Sequence, residues 1–368
     1  MSVLPSDIVV YGSANMPEAD GAINGGPVDF SRRVAFYDIA PAGNVDVIST
    51  SASDTATKIT FYGRDTTGVI QYQTLTLSGQ TWVSGSQSLE RLLYAALSGA
   101  TANGPAANPG GTAAVGDVAL AAHSCVLPTG SVTTDATVRT AQSGSANHTG
   151  TNPALFKLQA GDGASVSSGQ VIWIRSGTGA NQLRQVIATS GYGSDVLAVS
   201  RDWATIPDNT TTYKILQGML FEISPNPVTA VIRTFSNTAA DGPTGTQRTY
   251  YEKVFAINNN TGTALTGAQI EVASETPSMP SGALLDLALT TALNDTGTVA
   301  NRQTAPSSGV GAFSTQPAFV SLPGPGNLPP GAAPNAAGAQ GIWLRLTLPP
   351  GAASYKGSAD IRVQGTTT

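Results

Sequence analysis

Apolar and polar residues alternate with a period of two along much of this chain, the pattern of strands with one buried and one wetter face. The clearest case is Gly68-Val-Ile-Gln-Tyr-Gln-Thr-Leu-Thr-Leu77. It places Ile70, Tyr72, Thr74 and Thr76 on one face and Val69, Gln71, Gln73, Leu75 and Leu77 on the other. The preceding Gly63-Arg-Asp-Thr-Thr-Gly68 has the composition of a hairpin loop, so residues 58–62 are the expected partner strand. Shorter alternating segments at 8–11, 33–39 and 45–49 complete a first β-domain over residues 1–98.

Residues 88–97 break the period. Leu89, Leu92, Leu93 and Ala96 follow helical spacing behind Ser88, which makes this the best helix candidate. A short apolar run also fits a strand buried on both faces, so the two readings stand side by side. Residues 99–117 turn rich in Gly, Ala and Pro around Asn108-Pro-Gly-Gly111 and read as a linker. A middle β-domain is expected over 118–220, with strands at 154–159, 170–175, 184–189, 196–200 and 212–216. A C-terminal domain is expected over 221–368. Its alternating segments are 250–257, 268–273, 341–348 and 358–363. The first two flank Asn258-Asn-Asn-Thr-Gly262, and the pattern predicts that they pair as an antiparallel hairpin. The expected fold class is all-β, mainly antiparallel β-sandwich domains with few short helices.

Composition sharpens this picture. Only 11% of the 368 residues are charged, against roughly 25% in an ordinary soluble protein. The polar share falls to Thr, Ser, Asn, Gln and Gly, which suits sheets and subunit contacts. The net charge is −5 and no basic stripe exists, so no direct nucleic-acid binding is expected. No apolar run is long enough to cross a bilayer as a helix, and residues 1–31 carry no Lys or Arg, so neither a membrane span nor an export signal is expected.

Candidate chemistry is sparse. Cys125 is the single cysteine, which excludes an internal disulfide and any multi-cysteine zinc site. His123 lies beside it in Ala-Ala-His-Ser-Cys, where a Cys–His dyad competes with a partly buried strand histidine. His148, in a Ser/Gly/Asn loop, reads as solvated. Gly177-Thr-Gly179 resembles half of a phosphate cradle but lacks the third glycine and the helix, so a tight turn is expected. Gly161-Asp-Gly163 offers a single calcium ligand and also reads as a turn. Trp82, Trp173, Trp203 and Trp343 each lie in or next to an apolar strand, favouring packing over sugar binding. No hydrolase, metalloprotease or nucleotide signature is present. The chain is therefore expected not to be an enzyme, with no catalytic, cofactor or metal residues and no cofactor.

Three stretches resemble a family of tailed-bacteriophage virion proteins described as structural or tail-associated. The first is Lys58-Ile-Thr-Phe-Tyr-Gly-Arg-Asp-Thr-Thr-Gly-Val-Ile-Gln-Tyr-Gln-Thr-Leu-Thr-Leu-Ser-Gly79, in which Gln73 stands where that family carries an acidic residue. The second and most specific is Gly177-Thr-Gly-Ala-Asn-Gln-Leu-Arg-Gln-Val-Ile187 with Val199-Ser-Arg-Asp-Trp-Ala-Thr-Ile-Pro-Asp208. The third, Arg248-Thr-Tyr-Tyr-Glu-Lys-Val-Phe255 with Gln340-Gly-Ile-Trp-Leu-Arg-Leu-Thr-Leu348, is similar to the Ig-like C-terminal part of those proteins. The resemblance implies a virion component assembled in the host cytoplasm, a decoration, head–tail or tail-associated subunit. Other virion proteins of the capsid, neck or tail would be its partners, together with copies of itself in a homo-oligomer. The alternative is a receptor-binding tail-fibre or tip protein, although neither heptads nor a short stalk repeat occurs.

Overall fold

In a computed structural model the alternating segments form strands, and each described strand pairing is antiparallel. The structure describes residues 3, 7–34, 37–99, 110–122, 139–149, 152–168, 170–180, 182–216, 221–223, 230–236, 238, 245–260, 262–273, 279–324, 326–331, 338–352 and 357–367. His123 and Cys125 lie outside them. The fold class is all-β, and the described helical content is confined to short 3-10 turns such as Asp162–Ser165.

The chain forms two compact units, one built from Met1–Phe36 and Val231–Thr368, the other from Tyr37–Ala100 and Asn108–Ala230. This differs from the three consecutive domains expected, and long-range pairing is the reason. Ile8–Asn15 lies between Asn24–Val34 and Arg248–Asn258, so the first strand belongs with the last third of the chain. The segment expected at 33–39 is also divided, since Asn24–Val34 closes one strand and Tyr37–Gly43 opens another in the second unit.

In the first unit, Arg248–Asn258 is the organising strand. It is buried from Tyr250 to Asn258 and pairs with Ile8–Asn15 on one side and Ala339–Leu348 on the other. Leu284–Leu293 follows beyond Ala339–Leu348. A strand covered on both faces needs no polar side, which is why Tyr250-Tyr-Glu-Lys-Val-Phe-Ala-Ile257 carries apolar residues in both registers. A second sheet of three strands holds Val320–Ser321, Leu265–Val272 and Ile361–Thr367. The hairpin expected between 250–257 and 268–273 is therefore absent, because the two strands lie in different sheets. The intervening asparagines explain this: Asn258 Nδ2 donates to Thr263 O at 2.9 Å, and Asn260 Oδ1 accepts from Thr263 N at 2.9 Å. Asn260 Nδ2 also reaches Asp7 Oδ2 at 3.0 Å. These side chains build a wide loop that carries the chain away instead of folding it back.

In the second unit, one sheet runs in the order Tyr37–Gly43, Leu89–Leu97, Lys58–Arg64, Ile70–Thr76. The predicted hairpin forms between Lys58–Arg64 and Ile70–Thr76, with Lys58 opposite Thr76 and Tyr62 opposite Tyr72, and Gly63 and Arg64 of the expected loop belong to the first strand. The helix candidate is a strand, Leu89–Leu97, buried along nearly its whole length. Strand partners on both sides satisfy its backbone, and coverage of both faces overrides the helical preference of Leu and Ala. A second sheet joins Phe221–Ile223, Val118–Ala122, Val45–Ser49 and Val83–Ser84. Part of the expected linker is tied to this framework. Buried Asp54 accepts the backbone N–H groups of Val115 (2.8 Å) and Gly116 (3.0 Å), and Thr57 bridges Gly111.

The five strands expected over 154–216 all form and, with Arg139–Thr140, make a six-stranded sheet in the order Arg139–Thr140, Thr212–Leu216, Val171–Ser176, Leu183–Ala188, Val196–Val199, Leu155–Lys157. It curls until its ends meet, where Gln142 N donates to Lys157 O at 3.2 Å. Ile172, Ile174, Phe156, Leu197, Trp203 and Tyr213 fill the interior. Val171 and Trp173 point the other way and pack with Ile48, Ala119 and Leu183, which explains an apolar run with no polar face.

Candidate functional site

An open depression of about 480 Å³ lies in the second unit, lined by Thr50, Ser51, Ala52, Val115–Asp117, Gln182, Arg184, Arg201 and Ala204. Its polar groups come from loops that follow or precede strands, so the framework fixes their positions. Asp117 starts the strand Val118–Ala122, its N–H donates to Thr50 Oγ1 at 2.8 Å, and its carboxylate sits between Arg201 and Arg184 (3.6 Å to the latter).

Most of this chemistry points inward. Arg184 is 1% exposed. Its Nε and Nη2 donate to Asp202 O at 3.1 and 2.7 Å, Nη1 to Leu183 O at 2.6 Å and Nη2 to Gln182 Oε1 at 3.0 Å. The guanidinium also lies 4.9 Å from the centre of the Trp203 ring. Gln182 returns its Nε2 to Gly179 O (2.9 Å) and Thr205 O (2.8 Å), while its Oε1 accepts Ala204 N at 2.7 Å. Arg201, the more exposed of the two arginines, is held by the Asp117 carboxylate. No histidine or cysteine stands among the described lining residues to supply a base or a nucleophile.

The residues that carry the most specific resemblance do structural work. Gly177 has φ +81°, and a Cβ there would lie 2.1 Å from Thr210 O, so the expected tight turn requires glycine. Asp208 accepts Thr210 N at 2.8 Å and Thr210 Oγ1 at 2.6 Å, and these bonds hold its carboxyl below the usual range. Trp203 Nε1 donates to Leu155 O at 2.9 Å from inside the core. Gly161-Asp-Gly163 forms the expected turn: Asp162 Oδ2 meets Arg139 at 2.9 Å and the Tyr213 hydroxyl at 2.9 Å, while Asp195 accepts Gly163 N at 2.8 Å. Among the described residues no three His, Cys, Asp or Glu side chains gather as a metal cluster. His148 is half-buried instead of solvated, with its N–H donating to Asp202 Oδ1 at 2.7 Å. Of the four tryptophans, Trp173, Trp203 and Trp343 are buried, and Trp82 packs edge-on against Trp173.

Sequence reading missed two buried ionic groups of the first unit. Lys253 is fully buried, and its Nζ donates to Gly26 O (2.9 Å), Asp295 O (3.1 Å), Gly297 O (3.1 Å) and Asp295 Oδ2 (2.5 Å). Burial lowers its pKa, and the Asp295 carboxylate opposes that shift. On the opposite face of the strand, Glu252 pairs with Arg302 at 2.8 Å and accepts Phe235 N at 3.0 Å. Burial pushes its carboxyl up, and Arg302 opposes the shift. The only signal in the sequence is charge inside an otherwise apolar run. Both groups fasten loops to the central strand.

No helix among the described residues is long and apolar enough to cross a membrane. Comparison with protein-family models, curated proteins and solved structures gives no match.

Proposed function

We propose that this chain is a structural component of a tailed-bacteriophage virion, a decoration, head–tail or tail-associated subunit that works by binding other particle proteins and copies of itself. One observation carries the reading. The residues of the most specific phage-like stretch, Gly177, Gln182, Arg184, Trp203 and Asp208, are turned onto the chain's own backbone and core, where they build a small curled sheet. A scaffold of this kind presents faces for assembly. The low charge of the whole chain agrees, since depletion of charge marks the buried centre of an interface.

The test is direct. Purified particles from a host expressing the chain with its phage should contain it at a fixed copy number by mass spectrometry. Labelled electron microscopy should then place it on head, neck or tail. A position confined to a distal fibre tip, with binding to host cells, would move the reading to a receptor-binding protein. Absence from purified particles would overturn it.

A further inference from the structure

We propose that Ile70–Thr76 is the self-association edge of this protein, pairing antiparallel with the same strand of a second copy. The proposal rests on the reading of the chain as a repeated particle subunit and names the surface by which two copies meet. Ile70–Thr76 ends its sheet, with Lys58–Arg64 on one side and no strand on the other among the described residues. The hydrogen-bond phase shows which groups are left over. Leu77 N donates to Thr57 O and Asp65 N to Val69 O, so residues 69, 71, 73, 75 and 77 turn their backbone groups toward Lys58–Arg64. The N–H and C=O groups of Ile70, Tyr72, Thr74 and Thr76 therefore face outward.

The side chains favour a neighbour there. Val69 and Tyr72 are more than half exposed. Tyr94, Tyr62 and Tyr72 form a row of rings across three strands, with centroids 5.6 and 5.2 Å apart, and the row stops at the edge. The strand Ile-Gln-Tyr-Gln-Thr-Leu-Thr carries no charge, proline or glycine, the devices by which edges are protected. Other described edges differ. Ile361–Thr367 carries Arg362, Ser314–Thr315 has two residues, and the curled sheet closes on itself.

A second copy fits by symmetry. A two-fold axis through Gln73 sets Tyr72 of one copy beside Thr74 of the other and Ile70 beside Thr76. Each pair points its free backbone groups at the other, and aromatic and β-branched side chains become cross-strand neighbours. No charge meets a like charge. A charged or proline-rich peptide would gain nothing from this neutral edge that a second copy does not.

The test is sedimentation velocity of the full chain over a concentration series, with hydrogen exchange read at the amides of Tyr72, Thr74 and Thr76. The wild type should form a reversible dimer, and those amides should become protected as concentration rises. Thr74→Pro removes an outward N–H and leaves the ladder to Lys58–Arg64 intact. It should weaken the dimer roughly tenfold or more, since a two-fold contact loses the bond twice. Thr74→Val removes only the hydroxyl that meets Thr60 Oγ1 at 2.7 Å and should dimerise like the wild type. A monomer at every concentration, or a dimer that Thr74→Pro leaves unchanged while the three amides exchange freely, would overturn the proposal. Either result would leave the virion reading standing, because presence in purified particles is measured separately.

Discussion

Lys253 shows how one residue can hold a strand, a turn and a loop together. Three carbonyl oxygens and a carboxylate surround an ammonium that has no access to water, and the Phe255 and Trp343 rings lie 5.0 and 5.6 Å from it. Replacement by methionine keeps the volume but strands the Asp295 carboxylate and the carbonyls of Gly26 and Gly297. Lys253→Met should cost about 3–5 kcal/mol in urea unfolding, the usual loss when one partner of a buried ion pair is removed. Asp65 illustrates the exposed counterpart. Its carboxylate accepts Thr67 Oγ1, Gln71 Nε2, Thr67 N and Val69 N, and these bonds hold its pKa at about 2 against a free value of 3.8. A carboxyl depressed in the folded state stabilises fully above the free value, and that contribution is lost as pH falls through about 2. Amide shifts of Thr67 and Val69 should titrate near pH 2, and Asp65→Asn should flatten the titration.

At the scale of the element, legibility depended on whether both faces of a strand were covered. Ile70–Thr76 alternates visibly because its exposed face holds Tyr72, Thr74 and Thr76, the residues that the sequence pattern sets on one face. Leu89–Leu97 has no wet face, so period two disappears and leucine spacing mimics a helix. Val171–Ser176 escaped the same ambiguity because its Val and Ile residues are β-branched and strand-forming. The hairpin error between 250–257 and 268–273 has another origin: asparagine marks a turn, but its composition does not say whether the chain returns to the same sheet. The described end of the expected linker is tied down by one buried acid outside it, Asp54, which composition does not reveal. Asp54→Ala should therefore open residues 111–117 to limited proteolysis while strands Lys58–Arg64 and Leu89–Leu97 keep their exchange protection. Gly177→Ala should cost at least about 2 kcal/mol in thermal or urea unfolding, combining a left-handed φ with a clash against Thr210 O. Beside the candidate depression, Gly177 and Trp203 could be anticipated as turn and core. The inward role of Arg184 could not, because its acceptors at Gln182, Leu183 and Asp202 are set by tertiary contact.

At the scale of the molecule, the order of residues along the chain is not the order of folding units. Ile8–Asn15 pairs with Arg248–Asn258 across some 240 positions, residue for residue from Ile8 with Asn258 to Gly12 with Val254. The second unit has its own buried clusters around Trp203 and Trp173. Non-local pairing of this kind carries a loop-closure entropy cost, and the first unit depends on a strand that lies between two others. Removal of residues 1–15 exposes the edges of Arg248–Asn258 and Asn24–Val34 and uncovers Val254 and Phe255, both fully buried. The truncated chain should lose cooperative unfolding of the first unit and aggregate through those edges. The second unit contains no residue of the deleted strand and should keep its own transition. Hydrogen exchange would separate the two outcomes. Amides of Tyr250–Ile257 should exchange freely in the truncated chain, while those of Val171–Ser176 and Leu183–Ala188 keep wild-type protection. Uniform loss of protection across both groups would show instead that the two units fold as one cooperative body.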